Sequence, residues 1–147
     1  MQFPSEINFF TENIDFDLNK KEHVINIILS YMENAGHECG VINYIFCSDD
    51  YLLQLNKQYL NHDYYTDILS FQLNDEPIEG DIFISIDRVR ENATTLNIDF
   101  EEELMRVIAH GILHFMGYKD KTPEQKEQMR NKENELIDLL KNVTDGS

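Results

Sequence analysis

The order of apolar and polar residues divides the chain into nine segments. Ile7 to Phe10 is a short run of strand length, followed by a turn-rich acidic stretch. Val24, Ile28, Tyr31, Met32 and Ala35 then recur at helical spacing, with Asn19 and Glu22 placed as a capping pair in front and Gly36 behind. Over Val41 to Cys47 both alternating faces are largely apolar: Ile42, Tyr44 and Phe46 on one, Val41, Ile45 and Cys47 on the other. That pattern fits an interior strand. Ser48 caps a helix whose stripe is Leu52, Leu55, Tyr59 and Leu60. A polar connection over Asn61 to Tyr65 leads to two strands, Asp67 to Leu73 and Gly80 to Ile86. The turn Asn74 to Gly80, with Pro77, joins them as a hairpin.

The C-terminal part reads as three helices. The first runs from about Asp87 to Leu96. The second opens at Asp99 with Glu102 three residues on; its core face is Leu104, Val107, Ile108, Ile112 and Phe115, and Gly117 stands at its left-handed end. Thr122-Pro123-Glu124-Gln125 starts the third with a cap, a proline in the first turn and a glutamine three residues after the cap. Met129, Glu133, Leu136, Ile137 and Leu140 carry that helix to the tail. The expectation is one α+β domain over residues 1–147, a small mixed sheet of about four strands packed by helices.

Composition agrees with a folded domain. Of 147 residues 41% are hydrophobic, within the range of globular chains. No apolar run approaches the roughly 18 residues of a membrane span, so no membrane partner is expected. The first residues lack a basic stretch followed by an apolar one, so no secretory signal is expected and a reducing cytoplasm is the default. Cys39 and Cys47 are too few for a disulfide framework and match no redox or metal spacing. They read as packing residues with no disulfide partner. The net charge of −16 changes the picture more. An acidic surface repels phosphate backbones, so any contact with nucleic acid must be made in a local groove.

The chemistry lies near the second of those three helices. His110 and His114 are four residues apart and project from one helix face a turn apart. Two imidazoles so placed can share a tetrahedral metal ion. Gly117 ends the helix three residues later, and Asp120 follows within reach of the same ion. Three protein ligands leave a fourth position for water, the catalytic rather than the structural arrangement of zinc. An ion there makes water a nucleophile near neutral pH. One Zn2+ per chain is expected, on this helix and the loop after it. Zinc peptidases with this spacing read H-E-x-x-H-x-x-G-x-x-H, and the Glu is their general base. Here Gly111 takes that place, and losing such a base costs about 10²–10⁴ in rate. A zinc-dependent peptidase without its base is therefore the second reading.

Residues 110–120, His-Gly-Ile-Leu-His-Phe-Met-Gly-Tyr-Lys-Asp, resemble the signature H-G-x-L-H-x-x-G-Y-D-H of the YbeY family of bacterial metal-dependent endoribonucleases. Thr66-Asp67-Ile68-Leu69-Ser70-Phe71 is similar to that family's T-D-V-L-S-F, and Gly80-Asp81-Ile82 to the G-D-I that follows it. Two departures stand out. Asp120 occupies the place of the third histidine, with Lys119 before it, and Leu60 occupies the place of an arginine after Tyr59. The resemblance implies a mixed sheet with helices and cleavage of single-stranded RNA. It also implies a part in 3′-end maturation of small-subunit (16S) ribosomal RNA and in ribosome quality control. His110, His114 and Asp120 would carry the metal, with Asp67 and Ser70 as supporting or substrate-orienting groups. The plainer role for Asp67 is bonding local backbone N–H groups, and for Ser70 a structural one. Lys119 and Lys121, beside the metal loop, are candidate phosphate contacts within a run that also holds Lys126, Arg130 and Lys132. A third reading is a non-catalytic module bound to the small subunit around a structural ion. His23, His37 and His62 carry no motif and read as structural or exposed.

Overall fold

The computed structural model describes residues 5–141. The elements run β1 (Glu6–Glu12), α1 (Lys21–Asn34), β2 (Cys39–Cys47), α2 (Asp49–Leu60), β3 (Ile68–Asp75), β4 (Ile78–Ser85), α3 (Ile86–Leu96), α4 (Phe100–Phe115) and α5 (Pro123–Lys141). The fold is α+β, as the periodicity predicts. The sheet is mixed, in the order β1-β2-β4-β3: β1 and β4 flank β2 in parallel, and β3 is antiparallel to β4. β2 is thus interior, in keeping with its two apolar faces.

One face of the sheet carries the main core. Ile7, Ile42, Tyr44, Phe46, Ile78, Ile82 and Ile84 meet buried residues of α1, α3, α4 and α5 there. The other face is covered by α2 over a smaller cluster of Cys47, Leu52 and Leu69. α4 is apolar almost all round, with buried Leu104, Val107, Ile108, Ala109, Gly111, Ile112, Leu113 and Phe115. That is what a helix lying between a sheet and other helices requires. Its approach to the sheet is close. A Cβ on Gly111 would lie 3.0 Å from two atoms of Ile82 and 3.2 Å from Ile68 Cδ1. The buried Tyr44 hydroxyl donates to the Ile108 carbonyl at 2.8 Å, which fastens β2 to the middle of α4.

Several local expectations need correction. α1 begins after Lys20, a left-handed residue with no side-chain cap, so Asn19 does not cap it. Asp99 sits at the N-cap of α4 but accepts no side-chain hydrogen bond there, so the Asp99–Glu102 box does not close. The β3–β4 turn is tighter than Asn74–Gly80, because both strands extend to within two residues of each other at Glu76 and Pro77. Ile86 belongs to α3, since Ser85 Oγ accepts the N–H of Arg88 and starts that helix. Other caps form as read. Ser48 accepts the N–H of Tyr51. At α5, Thr122 Oγ1 accepts from Gln125 while Gln125 Oε1 accepts from Lys121 and Thr122. Gly117, at φ +105°, lets Tyr118 N–H return to the Leu113 carbonyl and closes α4.

Candidate metal and RNA-cleavage site

α4, α5, the start of β3 and the loop after α4 enclose a cavity of about 440 Å³. α4 contributes Glu103, Arg106, Val107 and His110, which fall on one helical stripe; α5 contributes Arg130 and Glu133. Thr66 and Asp67, just before β3, and Ile68 at its start close it on one side, and Asp120 from the loop. The centre of this arrangement is His110. Its Nδ1 lies 2.7 Å from Glu133 Oε2, and its Nε2 lies 3.4 Å from Asp120 Oδ2. The second Glu133 oxygen is held by Arg106 Nη1 at 3.1 Å. Glu133 is buried, and the Arg106 side chain is 19% exposed.

The electrostatics follow from that geometry. Burial pulls the His110 pKa down, but the Glu133 hydrogen bond and the charges of Glu133, Asp120 and Asp67 outweigh it, and the net shift is upward. Burial pushes Glu133 up, yet its bonds to His110 and Arg106 leave it below the usual carboxylate value. Asp67 is raised by burial, against the charge of His110 and its own backbone N–H bonds. Glu103 is raised by burial and by the charge of Asp67, and is partly offset by Arg106 and Arg130. Glu103 Oε1 is buried without a hydrogen-bond partner among the described residues.

The sequence candidates separate in space. His110, Asp120 and Asp67 meet in this cavity. His114, one turn further along α4, is exposed and makes no hydrogen bond or ion pair among the described residues. Among those residues no group of three or more His, Cys, Asp or Glu is gathered closely enough to hold a metal ion. Ser70 pairs with Ile82 in the sheet and does not line the cavity. Lys119 lines a different cleft, with His37 and Tyr118. Lys121 is exposed and spends its backbone N–H on Gln125. Cys39 and Cys47 are buried thiols, raised by burial to about 11 and about 12, which keeps them protonated at neutral pH.

Sequence reasoning missed Glu133 and Arg106 as site residues. Glu133 carried a signal, a carboxylate in the otherwise apolar stripe Met129, Leu136, Ile137, Leu140. Arg106 and Glu103 lie four and seven residues before His110 on its own stripe. A wider groove of about 700 Å³ lies along β1, β2 and β4, but its central polar side chains, Asn43 and Asp81, are committed to each other at 3.0 Å.

The family described as Endoribonuclease YbeY matches this chain over residues 6–141. The chain belongs to that family. Curated relatives named Endoribonuclease YbeY include one from Christiangramia forsetii, 51% identical over 92% of this chain and 94% of its own length. One from Flavobacterium psychrophilum is 51% identical over 89% and 94%, and one from Cytophaga hutchinsonii 46% identical over 92% and 96%. A Thermotoga maritima protein of known solution structure superposes with a TM-score of 0.63 and 28% identity, covering 92% of this chain and 89% of that one. A peptidase finds no support in these comparisons. The YbeY-like blocks also acquire structural reasons. A Cβ on Gly80 would lie 2.5 Å from the Phe71 carbonyl oxygen and 2.7 Å from the Phe115 ring, so the glycine of Gly80-Asp81-Ile82 lets α4 close on the β3–β4 pair. Position 111 faces Ile82 and Ile68 in the core, where a general-base carboxylate could not reach substrate.

Proposed function

We propose that this chain is a metal-dependent endoribonuclease that cleaves single-stranded RNA in 3′-end maturation of small-subunit ribosomal RNA and in ribosome quality control, in the cytoplasm. Family membership supports the reaction class. The observation that carries the site is His110 held between Glu133 and Asp120.

The donor chemistry fits a divalent ion such as zinc. With Nδ1–H given to Glu133, His110 presents Nε2 as its free lone pair, the second-sphere arrangement usual for a metal-bound histidine. Two ligands at about 2.0–2.1 Å from a tetrahedral ion stand about 3.4 Å apart, and His110 Nε2 and Asp120 Oδ2 are 3.4 Å apart. His110, Asp120 and, from the next turn, His114 would hold the ion. It would supply an activated water or a polarised phosphoryl oxygen to the scissile phosphodiester. Glu133 fixes the His110 tautomer and ring plane, and Arg106 fixes Glu133. Asp67, whose pKa burial raises, lines the cavity wall where it can orient the substrate or an attacking group.

The test is direct. The metal-loaded chain is incubated with single-stranded RNA, with duplex RNA and with unfolded protein, and its metal content is measured. Cleavage of the single strand alone is expected, with His114→Ala losing both metal and cleavage. Full activity in a metal-free His114→Ala variant overturns the assignment. A 2′,3′-cyclic phosphate on the products identifies the ribose hydroxyl as nucleophile.

A further inference from the structure

We propose that Arg130 and Arg106 form the phosphate-holding subsite of this cavity, taking a phosphodiester of single-stranded RNA next to the bond that is cut. The inference rests on the reading of the cavity as an RNA-cleaving site, and its test separates the two.

Four carboxylates line the cavity, Asp67, Glu103, Asp120 and Glu133, and the net charge of the chain is −16. A polyanion can enter only where that field is locally reversed. Arg106 and Arg130 are the arginines of the lining, one from α4 and one from α5. Both line the cavity together with Glu103, which shares one stripe of α4 with Arg106. Arg106 gives one nitrogen to Glu133 and keeps further N–H donors of its planar fork. Arg130 is exposed at the mouth and makes no hydrogen bond or ion pair among the described residues.

Other cations nearby are used differently. Lys132 pairs with Glu135, and Lys141 with Glu102. Lys119 faces another cleft. Leu60, where the family resemblance places an arginine, is 43% exposed at the end of α2 and does not line the cavity. Glu103 adds an independent sign of a ligand: a carboxyl 6% exposed whose Oε1 has no partner among the described residues, in the same cavity lining as the two arginines. Protonated, it would donate to a phosphate or ribose oxygen. Each guanidinium offers a planar fork of donors suited to two oxygens of one phosphate.

The test measures binding and cleavage of a fluorescent single-stranded oligoribonucleotide by the full metal-loaded chain across a range of KCl. Arg130→Gln is expected to raise KM and Kd about tenfold, the effect of one charge-assisted hydrogen bond. It should also flatten the slope of log affinity against log salt by about 0.7, the share of one phosphate on a single strand. Metal content and thermal midpoint should stay at wild-type values, because Arg130 is exposed and outside the donor set. Arg130→Lys should restore most of the salt slope. Arg106→Gln, which also frees Glu133, should add a loss of kcat. If Arg130→Gln binds with unchanged KM and slope while the wild type cleaves, the subsite falls and the nuclease reading stands. If the wild type binds RNA without cutting it and Arg130→Gln still flattens the slope, the subsite stands and the nuclease reading falls. A wild-type chain that binds no RNA overturns both.

Discussion

His110 cannot be both the partner of a carboxylate pair and a metal ligand without losing a proton. In the metal-free chain its pKa is raised, so its contribution to stability is fully present below its ordinary value of 6.5 and is lost as pH rises through the raised value. Glu133 is lowered, so its contribution is present above 4.5 and is lost as pH falls through the lowered value. Both are in force between about 4.5 and 6.5. Asp67 and Glu103 are raised carboxyls, and each withdraws stability as pH climbs from 3.8 and 4.5 through its folded value. Above pH 6.5 His110 loses its contribution and Glu133 adds no pH dependence, while the raised Asp67 and Glu103 act in the same direction as His110 wherever they titrate. The chain in chelator is therefore expected to have a higher urea midpoint at pH 6 than at pH 8, and Glu133→Gln should shrink the difference. A midpoint that rises from pH 6 to pH 8 would contradict this electrostatic picture.

At the scale of elements, α4 determines what the site can do. Its His110 stripe faces the cavity while position 111 faces the sheet. Gly111 packs directly against Ile82 and Ile68, so a larger side chain there requires those isoleucines or α4 to give way. Gly111→Leu is expected to cost about 2–3 kcal/mol by overpacking, read as a lowered urea midpoint. Unchanged stability would mean that the helix–sheet contact is looser than the distances indicate. α5 has the complementary task of bringing Glu133 and Arg130 to α4, and the Thr122–Gln125 box fixes where it begins. That box was legible from four residues. The missing caps at Asn19 and Asp99 were not, because the same residue types at the same spacing cap a helix only when the chain approaches from the right direction.

At the scale of the whole molecule the dominant fact is charge: 28 acidic side chains against 12 basic ones. Such a surface repels itself as well as nucleic acid. Raising KCl from about 0.01 to 0.15 M shortens the screening length from about 30 to 8 Å. The thermal midpoint of the metal-free chain is therefore expected to rise over that range, measured by calorimetry at constant pH. A midpoint that falls instead would show that local ion pairs outweigh the global field. RNA affinity should move the other way, because the phosphate contacts are local attractions that salt weakens. Among the described residues no helix is long and apolar enough to cross a membrane.

What the sequence determined by itself was local. Hydrophobic period placed nine elements because burial of one face is an interaction each segment makes with whatever covers it. The four-residue step from His110 to His114, the left-handed Gly117 and the Thr122 box are properties of neighbouring residues, so they could be read in order along the chain. The tertiary structure decided the rest. Glu133 reaches His110 across 23 residues, and Arg106 reaches Glu133 across 27, only because α5 lies against α4 at one particular rotation. The same packing turns Lys119 away and brings Arg130 in, although Lys119 lies in the loop after α4 and Arg130 only eleven residues on. Partners set by the relative rotation of two helices leave no period in the chain, apart from the polar residue that interrupts an apolar stripe, and Glu133 is that residue.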